Sequence, residues 1–209
     1  MKKTDLVILA GGRGSRIKNY LNGQPKPLVK INNYRFLDLL IRKLCKYNLN
    51  KLYILAGYKG NLIKKRYHNK KFNFIKSQVI IEKKPLGTAG CLSQLKKKIK
   101  NDFILVNGDT FFDLDLSRVI NYKLNKKEIL LSLVNNSNYK SNKKLVFLKL
   151  NKNKKVSFNN NSNLINGGVY KFDRSFLQRV YKKNYSLEND IIPSLINKRL
   201  VNGLKFKNF

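Results

Sequence analysis

The stretch Leu9-Ala10-Gly11-Gly12-Arg13-Gly14-Ser15-Arg16 decides how the chain is read. It closes an apolar run, Asp5 to Ala10, with three glycines in four residues and then two cations. Glycine loses more backbone entropy on folding than any other residue, so so dense a cluster needs a reason. The run before it reads as a strand buried on both faces. A strand that ends in glycines and arginine suits a phosphate: backbone N–H groups close around the oxygens, and Arg16 adds a planar donor fork. The pattern is neither G-x-x-x-x-G-K-[ST] nor G-x-G-x-x-G, whose third glycine would fall on Ile17. A tight turn after a strand remains the bland alternative.

Outward from this point, short apolar runs alternate with helical patterns. Strands are expected at Lys51–Ala56, Gln78–Ile81 and Asp102–Asn107, and helices at Phe36–Tyr47, Asn61–Tyr67 and Thr88–Lys97. Such alternation argues for an α/β fold, with a Rossmann-like, mainly parallel sheet and helices on both faces. Ligand sites then belong at the carboxyl ends of the strands. After Asp115 the spacing shortens. Strands are expected at Ile129–Val134, Leu145–Leu150 and Val169–Phe172, a loop at Asn135–Lys144, a polar tip at Asn159–Asn163, and helices at Ser175–Lys182 and Leu187–Asn197. No repeat or linker divides the chain, so a single domain over 1–209 is expected.

Length and composition agree. The 209 residues are 42% hydrophobic and 11% aromatic, enough for one sizeable core. The net charge of +34 invites a nucleic-acid reading. However, the cations are 36 Lys and nine Arg, spread along the chain among much Asn, Ile, Tyr and Phe. Compositional bias explains that better than a binding face, so no specific nucleic acid is expected. No stretch approaches a membrane span. Met1-Lys2-Lys3 resembles a signal n-region, but Leu6–Ala10 is too short to follow it, and a cytoplasmic protein is expected. Cys45 and Cys91 lie in amphipathic patterns and read as buried free thiols. His68, the single histidine, reads as a solvated helix end. Oligomeric state is left open, a homo-oligomer included.

Three further segments carry chemistry. Pro25 and Pro27 flank Lys26, and the second proline is expected to hold Lys26 extended, about ten residues from Arg16. Glu82-Lys83-Lys84-Pro85-Leu86-Gly87-Thr88-Ala89-Gly90 joins a strand to a helix. There Gly87 and Gly90 would let a flat ligand approach the backbone, at a helix N-terminus that favours anions. Asn107-Gly108-Asp109-Thr110 sets a carboxylate at a strand's carboxyl end, a natural Mg²⁺ ligand. Asp109, Asp113 and Asp115 are three of only 11 acids, although the latter two read equally as caps of a following helix.

Taken in order, Gly11-Gly12-x-Gly14-Ser15-Arg16, Pro25-Lys26-Pro27-Leu28, Pro85-Leu86-Gly87-Thr88-Ala89-Gly90 and Gly108-Asp109 resemble the sugar-phosphate nucleotidyltransferases. Asn166-Gly167-Gly168-Val169-Tyr170 and Ser186-Leu187-Glu188-Asn189-Asp190 continue the likeness over nearly the whole chain. Within that family, Asn107–Asp113 and the Ser-Leu-Glu-x-Asp segment look most like heptose-1-phosphate guanylyltransferases. The resemblance implies transfer of a nucleoside monophosphate from an NTP, GTP favoured, to a heptose- or mannose-type sugar 1-phosphate, with Mg²⁺ as cofactor. It implies Arg16, Lys26 and Asp109 as catalytic residues, Asp109 also holding the metal. Leu9, Ala10, Gly11, Gly12, Gly14, Ser15, Arg16, Glu82, Pro85, Gly87, Thr88, Ala89 and Gly108 would line the nucleotide. Asn107, Asn166, Gly168 and Glu188 would meet the sugar.

Three departures stand against the family pattern. Its Tyr-Gly before the central strands falls at Leu145-Val146 or in the Asn-rich loop. Its Glu-Lys pair is replaced by Asn159-Asn160-Asn161 after Val156-Ser157-Phe158. Its Ile-Asp-x-Gly segment, with a second metal-binding Asp, would begin about where Asn208-Phe209 stands, so the C-terminal end is expected to be short of the family's. An active enzyme and a degenerate relative that binds nucleotide or sugar phosphate are therefore both open readings, with a basic nucleic-acid-binding module a remote third.

Overall fold

The computed structural model describes residues 3–14, 21, 23–111, 113–136 and 146–206. In chain order the strands are β1 (Asp5–Ala10), β2 (Lys30–Ile31), β3 (Tyr34–Arg35), β4 (Lys51–Ala56), β5 (Lys71–Phe72) and β6 (Ile75–Ile81). They continue with β7 (Phe103–Asn107), β8 (Ile129–Asn135), β9 (Leu148–Leu150), β10 (Val156–Phe158), β11 (Leu164–Phe172) and β12 (Val201–Phe206). The α-helices are α1 (Phe36–Leu44), α2 (Gly60–Tyr67), α3 (Gly87–Gly90), α4 (Leu116–Ile120) and α5 (Ile192–Asn197).

β1 is the axis of the sheet. It runs parallel to β4 on one side and β7 on the other, and β6 extends the parallel set beyond β4. Its alternate side chains serve two cores. Leu6, Ile8 and Ala10 pack under α1, α2 and α4, while Val7 faces Leu92, Leu95, Phe103, Phe176 and Leu187 on the other face. Burial on both faces is what makes the run apolar without alternation. The rest of the sheet is mixed. β11 lies antiparallel to β7 and β8, and β12 runs parallel to β8. The α/β fold read from the sequence is therefore the fold observed.

Several elements differ from expectation, each for a local reason. The helix expected at Thr88–Lys97 is one α-turn, α3, followed by a 3₁₀ segment at Cys91–Leu95. Ser175–Lys182 is a 3₁₀ helix at Arg174–Arg179, started by the Asp173 carboxylate accepting from Ser175 N. Leu187–Asn197 divides into a π-helical turn, Leu187–Ile191, and α5. In that turn the Ile191 N–H reaches back five residues to Ser186 O. β12 has no counterpart among the expected elements, because Asn202 and Gly203 interrupt its apolar run. Gly203 is needed there, since a Cβ would stand 2.7–2.9 Å from Leu133, Leu150 and Val156. Of the loop expected at Asn135–Lys144, Asn135 belongs to β8 and residues 137–144 lie outside the described part.

The minor expectations sort as follows. Cys45 and Cys91 are buried free thiols; burial pushes Cys45 up to about 12 and raises Cys91 as well. His68 does end α2, but its Nδ1 accepts from Val79 N at 3.2 Å, so the ring anchors β6 rather than facing only solvent. Among the described residues, no helix is long and apolar enough to cross a membrane.

Candidate active site

The parallel order β7–β1–β4–β6 brings the loops after those strands to one edge. Gly108 N donates to Leu9 O at 2.9 Å, which ties the end of β7 to the end of β1. The Leu9 side chain is half-buried, and Ala10 is in the core, so any role of Ala10 in holding a ligand falls to its backbone. Gly11 backs onto Gly57, and Tyr58 N donates to Gly11 O at 3.2 Å. Gly12 is exposed, and a Cβ there would meet nothing within 4 Å. Gly14 sits at φ +64 with its open side 3.1 Å from Lys26 Cβ. Ser15 and Arg16 lie outside the described residues.

Pro25 (φ −68, ψ 144) precedes a 3₁₀ turn at Lys26–Leu28, closed by Leu28 N donating to Pro25 O at 2.8 Å. Lys26 is thus held in a turn, not extended as the following proline suggested: the turn hydrogen bond and the burial of Pro27 and Leu28 outweigh the local preference. The backbone is fixed all the same. The Lys26 ammonium stands 2.8 Å from the Asp109 carboxylate, with both side chains partly exposed.

The three clustered acids diverge. Asp109 faces Lys26. Asp113 takes Lys43 of α1 at 2.7 Å, and that ammonium holds its carboxyl below the usual range. Asp115 caps α4 by accepting from Ser117 N at 2.9 Å. Among the described residues no three His, Cys, Asp or Glu side chains gather as a metal cage. One partly exposed carboxylate is still the donor set expected for Mg²⁺, which keeps several waters and is held by one or two carboxylates plus substrate phosphates. Asp109 fits that role.

Glu82 follows β6, half-buried. Its Oε2 accepts from Leu86 N at 3.0 Å, and its Oε1 lies against the open side of Gly11. Burial raises its carboxyl above the ordinary value, and the Leu86 N–H only partly offsets this. Pro85 beyond it is exposed. Gly87 and Gly90 are glycines for another reason than the one expected. A Cβ on Gly87 would stand 2.3 Å from Tyr185 O, and one on Gly90 would stand 1.9 Å from Lys183 O. The close approach they permit is to the chain's own segment 183–185. Ala89 N completes the seam by donating to Tyr185 O at 3.2 Å, and its side chain is in the core.

Asn107, Asn166, Gly168 and Glu188 are brought together. β11 shifts register between Asn166 and Tyr170, where Gly168 adopts φ +74. That shift turns Gly168 toward the Asn107 amide, 3.0 Å from where a Cβ would be. Asn166 Oδ1 accepts from Gly168 N at 3.0 Å, and Asn166 Nδ2 donates to the Tyr170 hydroxyl at 2.9 Å. Tyr170 is fully buried; burial and the nearby Glu188 push its phenol up, so it stays neutral. Its hydroxyl also approaches Glu188 Oε1 at 3.5 Å. Tyr170 ends the Asn166–Tyr170 motif but is given no role from the sequence; the signal that could have found one is its place four residues after Asn166, beyond two glycines.

This arrangement sets a glycine loop, a lysine–aspartate pair and a polar cluster of Asn and Glu along the carboxyl edge of a parallel sheet. Residues 6–209 match the family described as "Nucleotidyl transferase", and the chain belongs to that family of enzymes. It is 35% identical, over 85% of its length and 86% of the relative's, to the D-glycero-alpha-D-manno-heptose 1-phosphate guanylyltransferase of Campylobacter jejuni. The enzyme of that name from Aneurinibacillus thermoaerophilus is 26% identical over 90% of this chain. Among solved structures, HddC from Yersinia pseudotuberculosis complexed with GMP-PN matches with a TM-score of 0.80 and 27% identity, covering 99% of this chain and 92% of that one.

Proposed function

We propose that the protein is a sugar-1-phosphate guanylyltransferase: it transfers GMP from GTP to a heptose- or mannose-type sugar 1-phosphate and releases pyrophosphate. The observation that carries this reading is the meeting of Lys26 and Asp109 at the carboxyl edge of the sheet, where Lys26 also packs against the glycine turn at Gly14. A phosphate oxygen of the sugar 1-phosphate attacks the α-phosphorus; that O–P bond forms as the bond to the β-phosphate oxygen breaks. Such a transfer needs alignment and charge neutralisation more than covalent help. Lys26 supplies a cation fixed by its proline turn, and the glycine loop supplies backbone N–H groups. Arg16 is proposed from the sequence to add a second cation. Mg²⁺ held by Asp109 would neutralise phosphate charge.

Guanine is favoured by the relatives' names and by Glu82. An ionised carboxylate only accepts hydrogen bonds. Guanine offers it two adjacent donors, N1–H and N2–H, whereas adenine offers one donor beside an acceptor. Glu82 Oε2 accepts from Leu86 N with one lone pair and keeps another, and Oε1 takes no hydrogen bond among the described residues. The degenerate-relative reading is tested by the same experiment: pyrophosphate release with Mg²⁺, crossing GTP, UTP, CTP, dTTP and ATP with heptose, mannose and glucose 1-phosphates. Release with GTP and one sugar establishes the enzyme. Silence from a folded protein that still binds GTP favours a binder.

A further inference from the structure

Resting on that reading, we infer that Thr88 is a positioning residue for the sugar side of the site, acting through Glu188, and not a nucleotide contact through its hydroxyl. Thr88 lies in α3, on the segment that the resemblance gives to the nucleotide. Its hydroxyl is engaged elsewhere. Oγ1 donates to Glu188 Oε2 at 2.7 Å and accepts from Leu187 N at 2.8 Å. The donor hydrogen is thereby spent and one acceptor site filled.

Glu188 has few other restraints. Ser186 Oγ reaches Oε2 at 3.0 Å, and Tyr170 approaches Oε1 only at 3.5 Å. Glu188 also stands in the π-helical turn, where its N–H donates to Ser186 Oγ at 3.2 Å, so its backbone is held while its side chain is aimed separately. The short bond from Thr88 therefore does most to aim the carboxylate. The backbone around Thr88 is built to bear that load. Gly87 and Gly90 seat against the carbonyls of Tyr185 and Lys183, and Ala89 N and Tyr185 N bond across the seam. The segment 86–90 thus serves as a bracket for Ser186-Leu187-Glu188. With Oε2 occupied, Oε1 keeps free acceptor capacity for a sugar hydroxyl.

The test compares Thr88→Val, which keeps the branched shape and removes the hydroxyl, with Thr88→Ser, which keeps the hydroxyl. The expected result for Thr88→Val is a KM for the sugar 1-phosphate raised about tenfold, with the KM for GTP within twofold of wild type; this corresponds to about 1.4 kcal/mol of lost aim. Thr88→Ser should recover most of the loss. Calorimetric titration of heptose 1-phosphate into protein saturated with a non-hydrolysable GTP analogue reads the same effect without turnover. In a Glu188→Ala background, Thr88→Val should add no further loss of sugar-phosphate affinity. A rise in the GTP KM, an unchanged sugar KM, or a full additional loss in the Glu188→Ala background overturns the inference while leaving the guanylyltransferase reading intact. A wild type that neither turns over nor binds sugar phosphate overturns both.

Discussion

Lys26 Nζ stands 2.8 Å from Asp109 Oδ2, joining residues 83 positions apart at the carboxyl edge of the sheet. The pair is too exposed to matter greatly for folding. Its worth is positional: it brings the cation proposed for phosphate and the carboxylate proposed for Mg²⁺ to one point. Lys26→Ala is expected to lower kcat by about 10²–10³, the cost of removing one preorganised charge contact, with thermal stability nearly unchanged. A rate within threefold of wild type removes Lys26 from the mechanism.

Glu82→Gln is expected to erode the preference for GTP. Glutamine sets an N–H against a base edge that offers two N–H groups, or pairs with only one of them. The ratio of kcat/KM for GTP over ATP should fall about tenfold to a hundredfold, the range for a lost two-point contact. Steady-state competition between the two nucleotides measures it, and an unchanged ratio would separate Glu82 from base selection.

Two glycines should answer oppositely to alanine. At Gly90 a Cβ would overlap Lys183 O, so Gly90→Ala must push the 183–185 segment away. A loss of about 1–3 kcal/mol, or roughly 2–10 °C in Tm, is expected. At Gly12 a Cβ has open space, so Gly12→Ala should leave Tm within about 1 °C while weakening GTP binding. Thermal melts and a nucleotide titration on both variants decide it.

Much of this was legible in sequence and some was not. β1 and β4 could be read to the residue because strands buried on both faces are continuous apolar runs between breaker signals. The helix carrying a clear 3.6 spacing, Leu37, Leu40, Ile41 and Leu44, begins at Phe36 as expected but ends at Leu44, three residues short of Tyr47. The antiparallel half was harder: β9 and β10 are three residues each, and β12 hides an Asn-Gly pair inside a buried strand. At the site, the motif order identified which segments converge. What it missed is how they do so. Gly87 and Gly90 serve the chain's own packing, and the Tyr170 hydroxyl links Asn166 to Glu188. Both are long-range facts, set by a partner up to a hundred residues away.

Acid should unfold the protein partly through Glu128. Burial alone would raise this carboxyl, but hydrogen bonds from Lys155, Asn125 and Asn202 outweigh it and hold it below its ordinary 4.5. Lys155 Nζ lies 2.6 Å away and Asn202 Nδ2 2.9 Å, joining the start of β8 to β12. A carboxyl held low contributes stability that is fully present above pH 4.5 and is lost as pH falls through its native value. Glu128→Gln should cost about 1–2 kcal/mol at pH 7 and flatten the acid limb of stability against pH. Denaturant melts from pH 7 to pH 3 measure both, and an unaltered acid limb would rule this group out.

The central claim is tested most directly by following [α-³²P]GTP with heptose 1-phosphate and Mg²⁺ and identifying the labelled product. The account predicts that label passes into a GDP-sugar in step with pyrophosphate release, and that Lys26→Ala and Asp109→Asn each slow this by about 10²-fold or more. Label that stays in GTP, in a folded protein that binds the nucleotide, would contradict it.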